Sequence, residues 1–171
     1  TAGSTEKGGF EMAVDMFLKL DGIKGESADD KHKEEIDVLA WSWGASQSGT
    51  MHEGSGGGAG KANFQDISVT KWVDSASHKL LKAVSTGQHV KEALLTVRKA
   101  GEKPLEYLKI TMKNCLISSV STGGSGGEDR LTENVTINFG EYAFEYTPQK
   151  DDGNAGSVLP FKFDIRANKE K

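Results

Sequence analysis

Apolar and polar residues alternate with a period of two through most of this chain, the spacing of a strand with one face buried. Ala13–Leu20 is an apolar-rich run of strand length that stops at the turn signal Asp21-Gly22. After the charged loop Gly25–Glu34, the stretch Glu35–Trp43 puts Ile36, Val38, Ala40 and Ser42 on one face and Asp37, Leu39, Trp41 and Trp43 on the other. Phe64–Val73 is a further strand. Ala93–Lys99 and Leu105–Leu116 then make a hairpin around AGEKP, in which Gly101 permits the turn and Pro104 starts the return. On the return strand Leu108, Ile110, Met112 and Asn114 share a face. Glu133–Tyr146 carries Val135, Ile137 and Phe139 on one face. Beyond Gly140 the bulky set becomes Tyr142, Phe144 and Tyr146, which predicts a bulge that re-aims the strand. In the last strand, Leu159–Arg166, Phe161, Phe163 and Ile165 point inward.

One stretch breaks this rhythm. Within Lys71–Gly87 apolar residues recur at helical spacing, with Ala76, Ser77, Leu80, Leu81, Ala83 and Val84 on one side. Ser75, His78, Lys79, Lys82, Ser85 and Thr86 fall on the other, where the lysines solubilise an open face. Asp74 or Ser75 can accept from the first free backbone N–H groups, and Gly87 can take the left-handed conformation that stops a helix. The pattern predicts a helix over about residues 74–86 lying on a sheet. Many strands and one helix imply a mainly β fold, an antiparallel barrel or two packed sheets with a flanking α-helix. The expected core includes Trp41, Trp43, Leu80, Val84, Ile110 and Phe139.

Two segments carry no strand or helix pattern. Thr1–Glu11 is polar and Gly-rich, and reads as a cloning scar or processed leader, disordered and outside the fold. That leaves residues 12–171 as a single domain. Gly44–Asn63, GASQSGTMHEGSGGGAGKAN, is too long for a tight turn, and compact domains rarely keep such loops without a use. It is either a disordered excursion or an arm that orders against a partner.

Composition narrows the function. The chain has 171 residues, long enough for a sizeable core, and 21 basic against 25 acidic residues give a net charge of -4. Phosphate neutralisation needs clustered Lys and Arg, so a general nucleic-acid binder is not expected. No run of 18 apolar residues exists to span a membrane, and no secretion signal is visible. The single cysteine, Cys115, has no partner for an internal disulfide, which suits a reducing compartment.

The candidate chemistry thins out on inspection. Gly123–Gly127 matches the letters G-x-S-x-G around Ser125, but that motif needs a helix after the serine, and here EDRLTEN and another strand follow. Gly54, Gly56 and Ala59 fit a loose dinucleotide pattern without a βαβ unit around them. The phosphate-loop pattern before Lys61 fails at Ser55 and at Ala62. His32, His52, His78 and His89 are scattered, so no zinc site is expected. His52 beside Glu53 sits in a loop that gives no preorganisation. Glu34, Glu35 and Asp37 read as a solvated strand edge. The expectation is a protein with no cofactor, no metal and no catalytic site.

Several long stretches resemble one family. MAVDMFLKLDGIKGES, EEIDVLAWSWGASQSG and SSVSTGGSGGEDRLTENVT, with VTKWVDSAS, TVRKAG and EYTPQKDDG, are similar to the Hcp (hemolysin-coregulated protein) family of the bacterial type VI secretion system. The similarity spans nearly everything from Met12 to about Gly153, while Asn154–Lys171 matches least. The resemblance implies a barrel with one flanking helix, hexameric rings of identical copies, and stacking of rings into a hollow tube. It also implies assembly in the cytoplasm and expulsion by a contractile sheath, without a signal peptide, together with a spike protein and small effectors. By position it makes Gly44–Asn63 an inter-protomer and inter-ring arm, with Ser48, Thr50, Met51, His52, Glu53 and Lys61 as contact residues. Ala40 and Ser42 would then face the lumen, a small polar wall able to hold effectors. The rival expectation is a monomeric β-sandwich that binds a ligand such as a carbohydrate, stacking it on Trp41, Trp43 or Trp72.

Overall fold

The computed structural model describes residues 14–52, 54 and 58–171. Among them are ten strands and one helix, in the order β1 (Val14–Leu20), β2 (Ile36–Ser42), β3 (Ala45–Gly49), β4 (Ala59–Phe64), β5 (Ile67–Trp72), α1 (Ser77–Thr86), β6 (His89–Lys99), β7 (Leu105–Gly123), β8 (Thr132–Tyr146), β9 (Leu159–Asp164) and β10 (Lys169–Glu170). The leader read at Thr1–Glu11 lies outside the described residues.

All pairings are antiparallel. Strands run β8-β5-β2-β1-β6-β7, and β7 pairs back onto β8, so six strands close a barrel and leave no edge in that ring. The outer half of β8 also carries β9 and then β10, while among the described residues β3 and β4 pair only with each other. The barrel interior is aliphatic: Leu18, Ile36, Ile67, Leu95, Ile110, Met112, Ile117 and Ile137 are all buried in one cluster. Burying each such side chain contributes about 1.5–3 kcal/mol.

The barrel turns its corner where three adjacent strands change faces together. Buried positions run Val90 then Ala93 on β6, Met112 then Cys115 on β7, and Phe139 then Tyr142 on β8, each with two outward residues between. The ladders keep register through this level, with Lys113 opposite Glu141 and Cys115 opposite Phe139. Asn114 absorbs the bend with φ 55°, a left-handed conformation that asparagine tolerates. The change of face expected at Gly140 is therefore present, as a shared bend rather than an extra residue. Asn114 itself is exposed, so it does not share the face of Ile110 and Met112.

A true irregularity lies in β2. Its register with β5 shifts between Val38 and Ala40. A shift of one residue reverses every later side chain. Ile36 and Val38 point inward, but Ala40 and Ser42 are exposed, and it is Trp41 and Trp43 that pack against the core. The uninterrupted alternation expected from Ile36 to Ser42 is thus corrected.

The helix is shorter than the pattern suggested, because Lys71 and Trp72 belong to β5 and the turn Val73–Ala76 precedes it. The cap residue is Ala76, without a side-chain cap. Asp74 Oδ1 accepts from the Ala76 N–H at 2.9 Å, and Gly87 closes the far end with φ 69°. Ala76, Ser77, Leu80 and Ala83 are buried against the barrel and Val84 partly so, whereas Leu81 is 43% exposed. In β9, Phe163 packs on the core, while Phe161 is 44% exposed and does not point fully inward. The strand expected at Phe64–Val73 is broken at Gln65-Asp66 into β4 and β5.

Candidate functional site

The glycine-rich segment is a hairpin. β3 and β4 pair in the register Ala45↔Phe64, Ser46↔Asn63 and Gln47↔Ala62, with an irregularity before Gly49↔Ala59. Gly44–Asn63, expected as a disordered excursion or an arm without strand pattern, therefore contains two paired strands. Above the ladder, Thr50 Oγ1 donates to the Gly58 carbonyl at 3.0 Å and accepts from the Gly58 N–H at 3.0 Å. The sequence hides these strands because alternation needs contrast, and ASQSG and AGKANF hold too few large apolar residues to show a period.

The base of the hairpin is clamped by aromatic rings. Trp43 Nε1 donates to the Gln65 carbonyl at 2.8 Å, and the Gln65 N–H donates to the Gly44 carbonyl at 3.0 Å. Trp43 meets the Tyr142 ring edge-on at 4.9 Å between centroids, and Phe64 lies 5.6 Å from Tyr142 and 5.5 Å from Phe163. Rings in such tilted contacts add about 0.5–1.5 kcal/mol beyond area burial. From this anchor strands of five and six residues reach outward about 17 Å. Ser48, His52 and Lys61 are exposed and Thr50 half-buried, while Met51 at the tip is 79% exposed. Glu53 lies outside the described residues.

Of the other singled-out residues, Leu80, Ile110 and Phe139 are buried, and Trp41, Trp43 and Val84 pack on the core from the edge of the cluster. Ala40 and Ser42 lie in the open on the outer side of β2. Of the tryptophans, Trp41 and Trp43 belong to the packing, and the Arg130 guanidinium sits over the Trp72 ring at 4.3 Å.

Sequence reasoning missed two buried polar clusters. Lys71 and Glu133 are opposite one another in the β5–β8 ladder, and Lys71 Nζ meets Glu133 Oε1 at 2.5 Å inside the barrel. Lys71 also donates to Asp74 at 2.9 Å and to the Trp72 carbonyl at 2.7 Å, and Ser77 Oγ donates to Glu133 at 2.6 Å. The inward rows Ile67, Val69, Lys71 and Glu133, Val135, Ile137 carried the signal, since both charges keep the parity of the core. The second cluster covers the outer wall. Glu35 and His32 are buried there rather than solvated, with Arg98 bonded to Asp29 and Asp15 beside them.

Chemistry at these places is sparse. Among the described residues no group of three or more His, Cys, Asp or Glu is placed to hold a metal ion. Burial pushes the Cys115 thiol up to about 12, so it is not a nucleophile near neutral pH. Ser125 lies in an exposed turn that leads into β8, and no helix follows it to build an oxyanion hole.

The family model described as "Type VI secretion system effector, Hcp" matches residues 17–146. Protein hcp1 of Pseudomonas aeruginosa is 60% identical over 159 residues, covering 92% of this chain and 98% of that protein. Hcp1 from Salmonella typhimurium has the same fold with a TM-score of 0.79 and 42% identity, over 94% of this chain and all of that one. A second solved type six secretion system protein superposes with a TM-score of 0.88 at 36% identity, over 93% of this chain and 100% of its own. With the closed barrel, the flanking helix and the matched segment all agreeing, this chain belongs to the Hcp family of type VI secretion system proteins.

Proposed function

We propose that this protein is a building block without catalytic activity: copies close into hexameric rings, and rings stack into the hollow tube of the secretion machine. The observation that supports this most directly is the hairpin β3–β4, whose strands among the described residues pair with each other and not with the barrel, and which leaves the barrel through an aromatic hinge. A lone two-stranded ribbon is marginally stable in water. Its free strand edges and the exposed Met51 gain most when a neighbouring copy covers them. Repetition of such a contact by rotation closes a ring, and a second, axial contact stacks rings.

On this reading Ser48, Thr50, Met51, His52, Glu53 and Lys61 form the contact surface of the arm. Ala40 and Ser42, exposed on the outer side of β2, line the lumen, where small side chains hold small effectors without gripping them. The spike, the contractile sheath and those effectors are the partners, and export follows assembly in the cytoplasm. The arm is tested by Met51→Asp and by replacing residues 46–62 with a short turn. Light scattering and negative-stain images should show rings and tubes for the unaltered protein and single barrels with intact far-UV dichroism for the arm-shortened variant. Rings of unchanged mass after arm removal would overturn the arm's role. Ser42→Gln tests the lumen: ring formation unchanged with effector capture also unchanged would remove that assignment.

A further inference from the structure

The segment Lys24–Glu35, between β1 and β2, crosses the outer wall of the barrel as a strap. Its two ends lie close together: a Cβ on Gly25 would stand 2.6 Å from the Glu35 carbonyl oxygen. The strap pairs with itself through Gly25 N–H to Glu34 O at 2.8 Å, Ser27 N–H to Glu35 O at 2.9 Å and Glu34 N–H to Ser27 O at 2.9 Å. Beneath it Phe17 and Thr96 are buried on the outer face of β1 and β6, away from the main core cluster.

Two side chains fasten the strap to the wall. Asp29 receives Arg98 of β6 at 2.5 and 3.0 Å. His32 lies flat on Phe17, with ring centroids 4.3 Å apart and 9° between planes. Its Nδ1 is 2.5 Å from Glu35 on the strap and its Nε2 is 2.6 Å from Glu106 on β7. The two carboxylates stand at opposite ring nitrogens. A neutral imidazole has one N–H and one bare nitrogen, so it can donate to only one of them. The bare nitrogen would then face a carboxylate oxygen, two acceptors with no proton between. Both contacts are satisfied only when an extra proton is present.

We propose that the strap is a pH-sensitive clasp, in which the proton on His32 joins the strap to Glu106 and its loss releases that end. The other charges around the ring do not replace that proton. Glu106 is also bonded to Lys109 of β7, Arg98 lies over the Phe17 ring at 5.0 Å and is committed to Asp29 and to Asp15 of β1, and Asp37 of β2 lies opposite Phe17. Burial opposes ionisation of Glu106, yet hydrogen bonds from His32 and Lys109 outweigh it and hold that carboxyl below its usual value. Without that proton the clasp holds one charge-assisted bond fewer, while the Arg98–Asp29 pair and the Ser27–Asp37 hydrogen bond keep the rest of the strap near the wall. The lifted end uncovers Phe17.

Amide hydrogen exchange of the intact protein, corrected for the intrinsic pH dependence, tests this at about pH 5.5 and 9. Protection of the Gly25, Ser27 and Glu34 amides should fall by about tenfold at the higher pH, while that of Leu95 in the core stays unchanged. Nitrogen-15 shifts of the His32 ring should report both nitrogens protonated at the lower pH and one at the higher. Glu106→Gln offers both a donor and an acceptor, so the pH dependence of strap protection should vanish in it. Asp29→Asn should lower protection equally at both pH values. Equal corrected protection at both pH values in the unaltered protein, a singly protonated ring throughout, or full pH dependence in Glu106→Gln would each overturn the proposal.

Discussion

Lys71 and Glu133 face each other across the β5–β8 ladder, and their side chains meet at 2.5 Å where neither touches solvent. The pair ties two barrel strands to the helix start, because Asp74 and Ser77 share its hydrogen bonds. Removing Lys71 leaves the Glu133 and Asp74 carboxylates without their cation, and removing Glu133 leaves Lys71 with Asp74 only.

Lys71→Met or Glu133→Leu alone should therefore destabilise the fold by about 3–5 kcal/mol, and the double variant should cost less than the sum of the two, recovering only part of the loss because Asp74 keeps its charge without Lys71. Urea unfolding at one fixed protein concentration measures it, since assembly shifts apparent stability. Additive losses in the double variant would show that the two side chains are not coupled.

Leu80 and Leu81 are neighbours with opposite fates. Leu80→Ala should cost about 2–5 kcal/mol by emptying the helix–barrel contact, and Leu81→Ala less than about 0.5 kcal/mol. Equal costs would mean that the helix is rotated from the face described.

Asp29 gives a pH dependence with a definite sign. The Arg98 guanidinium beside it holds its carboxyl well below the usual range, and in the unfolded chain the value returns to about 3.9. A lowered carboxylate stabilises the fold above the unfolded value and loses that contribution as pH falls. Asp29→Asn should then be less stable than the unaltered protein by a constant margin from about pH 8 to 5, and the margin should narrow below about pH 4. Denaturation midpoints across this range decide it; a margin that stays constant into strong acid, or widens, contradicts the pairing.

Cys115 should be silent in the native state. With its thiol at about 12, roughly one molecule in ten thousand is thiolate at pH 8, and burial blocks reagents as well. A thiol-reactive disulfide reagent should release its chromophore only when denaturant is added, at the rate of unfolding. Rapid native labelling would place the cysteine at the surface.

The sequence by itself determined the fold class, because period-two patterning and one amphipathic stretch leave a helix-flanked β-barrel as the simplest way to bury both. It also carried the family, through long ordered stretches of matching residues that no short motif could supply. Leu80, Ile110 and Phe139 could be placed inside from their periodicity alone. Tertiary structure decided what periodicity cannot express. Barrel closure bends β6, β7 and β8 at one level, and the irregularity after Val38 reverses β2, so the faces of Asn114, Ala40 and Ser42 depend on curvature that strict alternation ignores. The arm is a hairpin because Trp43 and Phe64 are gripped by rings from β8 and β9, contacts far apart in sequence. By residue type alone Lys71, Glu133 and His32 read as solvent residues, although the first two keep the parity of the core rows. They are buried because the fold brings each a partner of opposite charge or proton demand, and burial of a charge is tolerable only with that partner present.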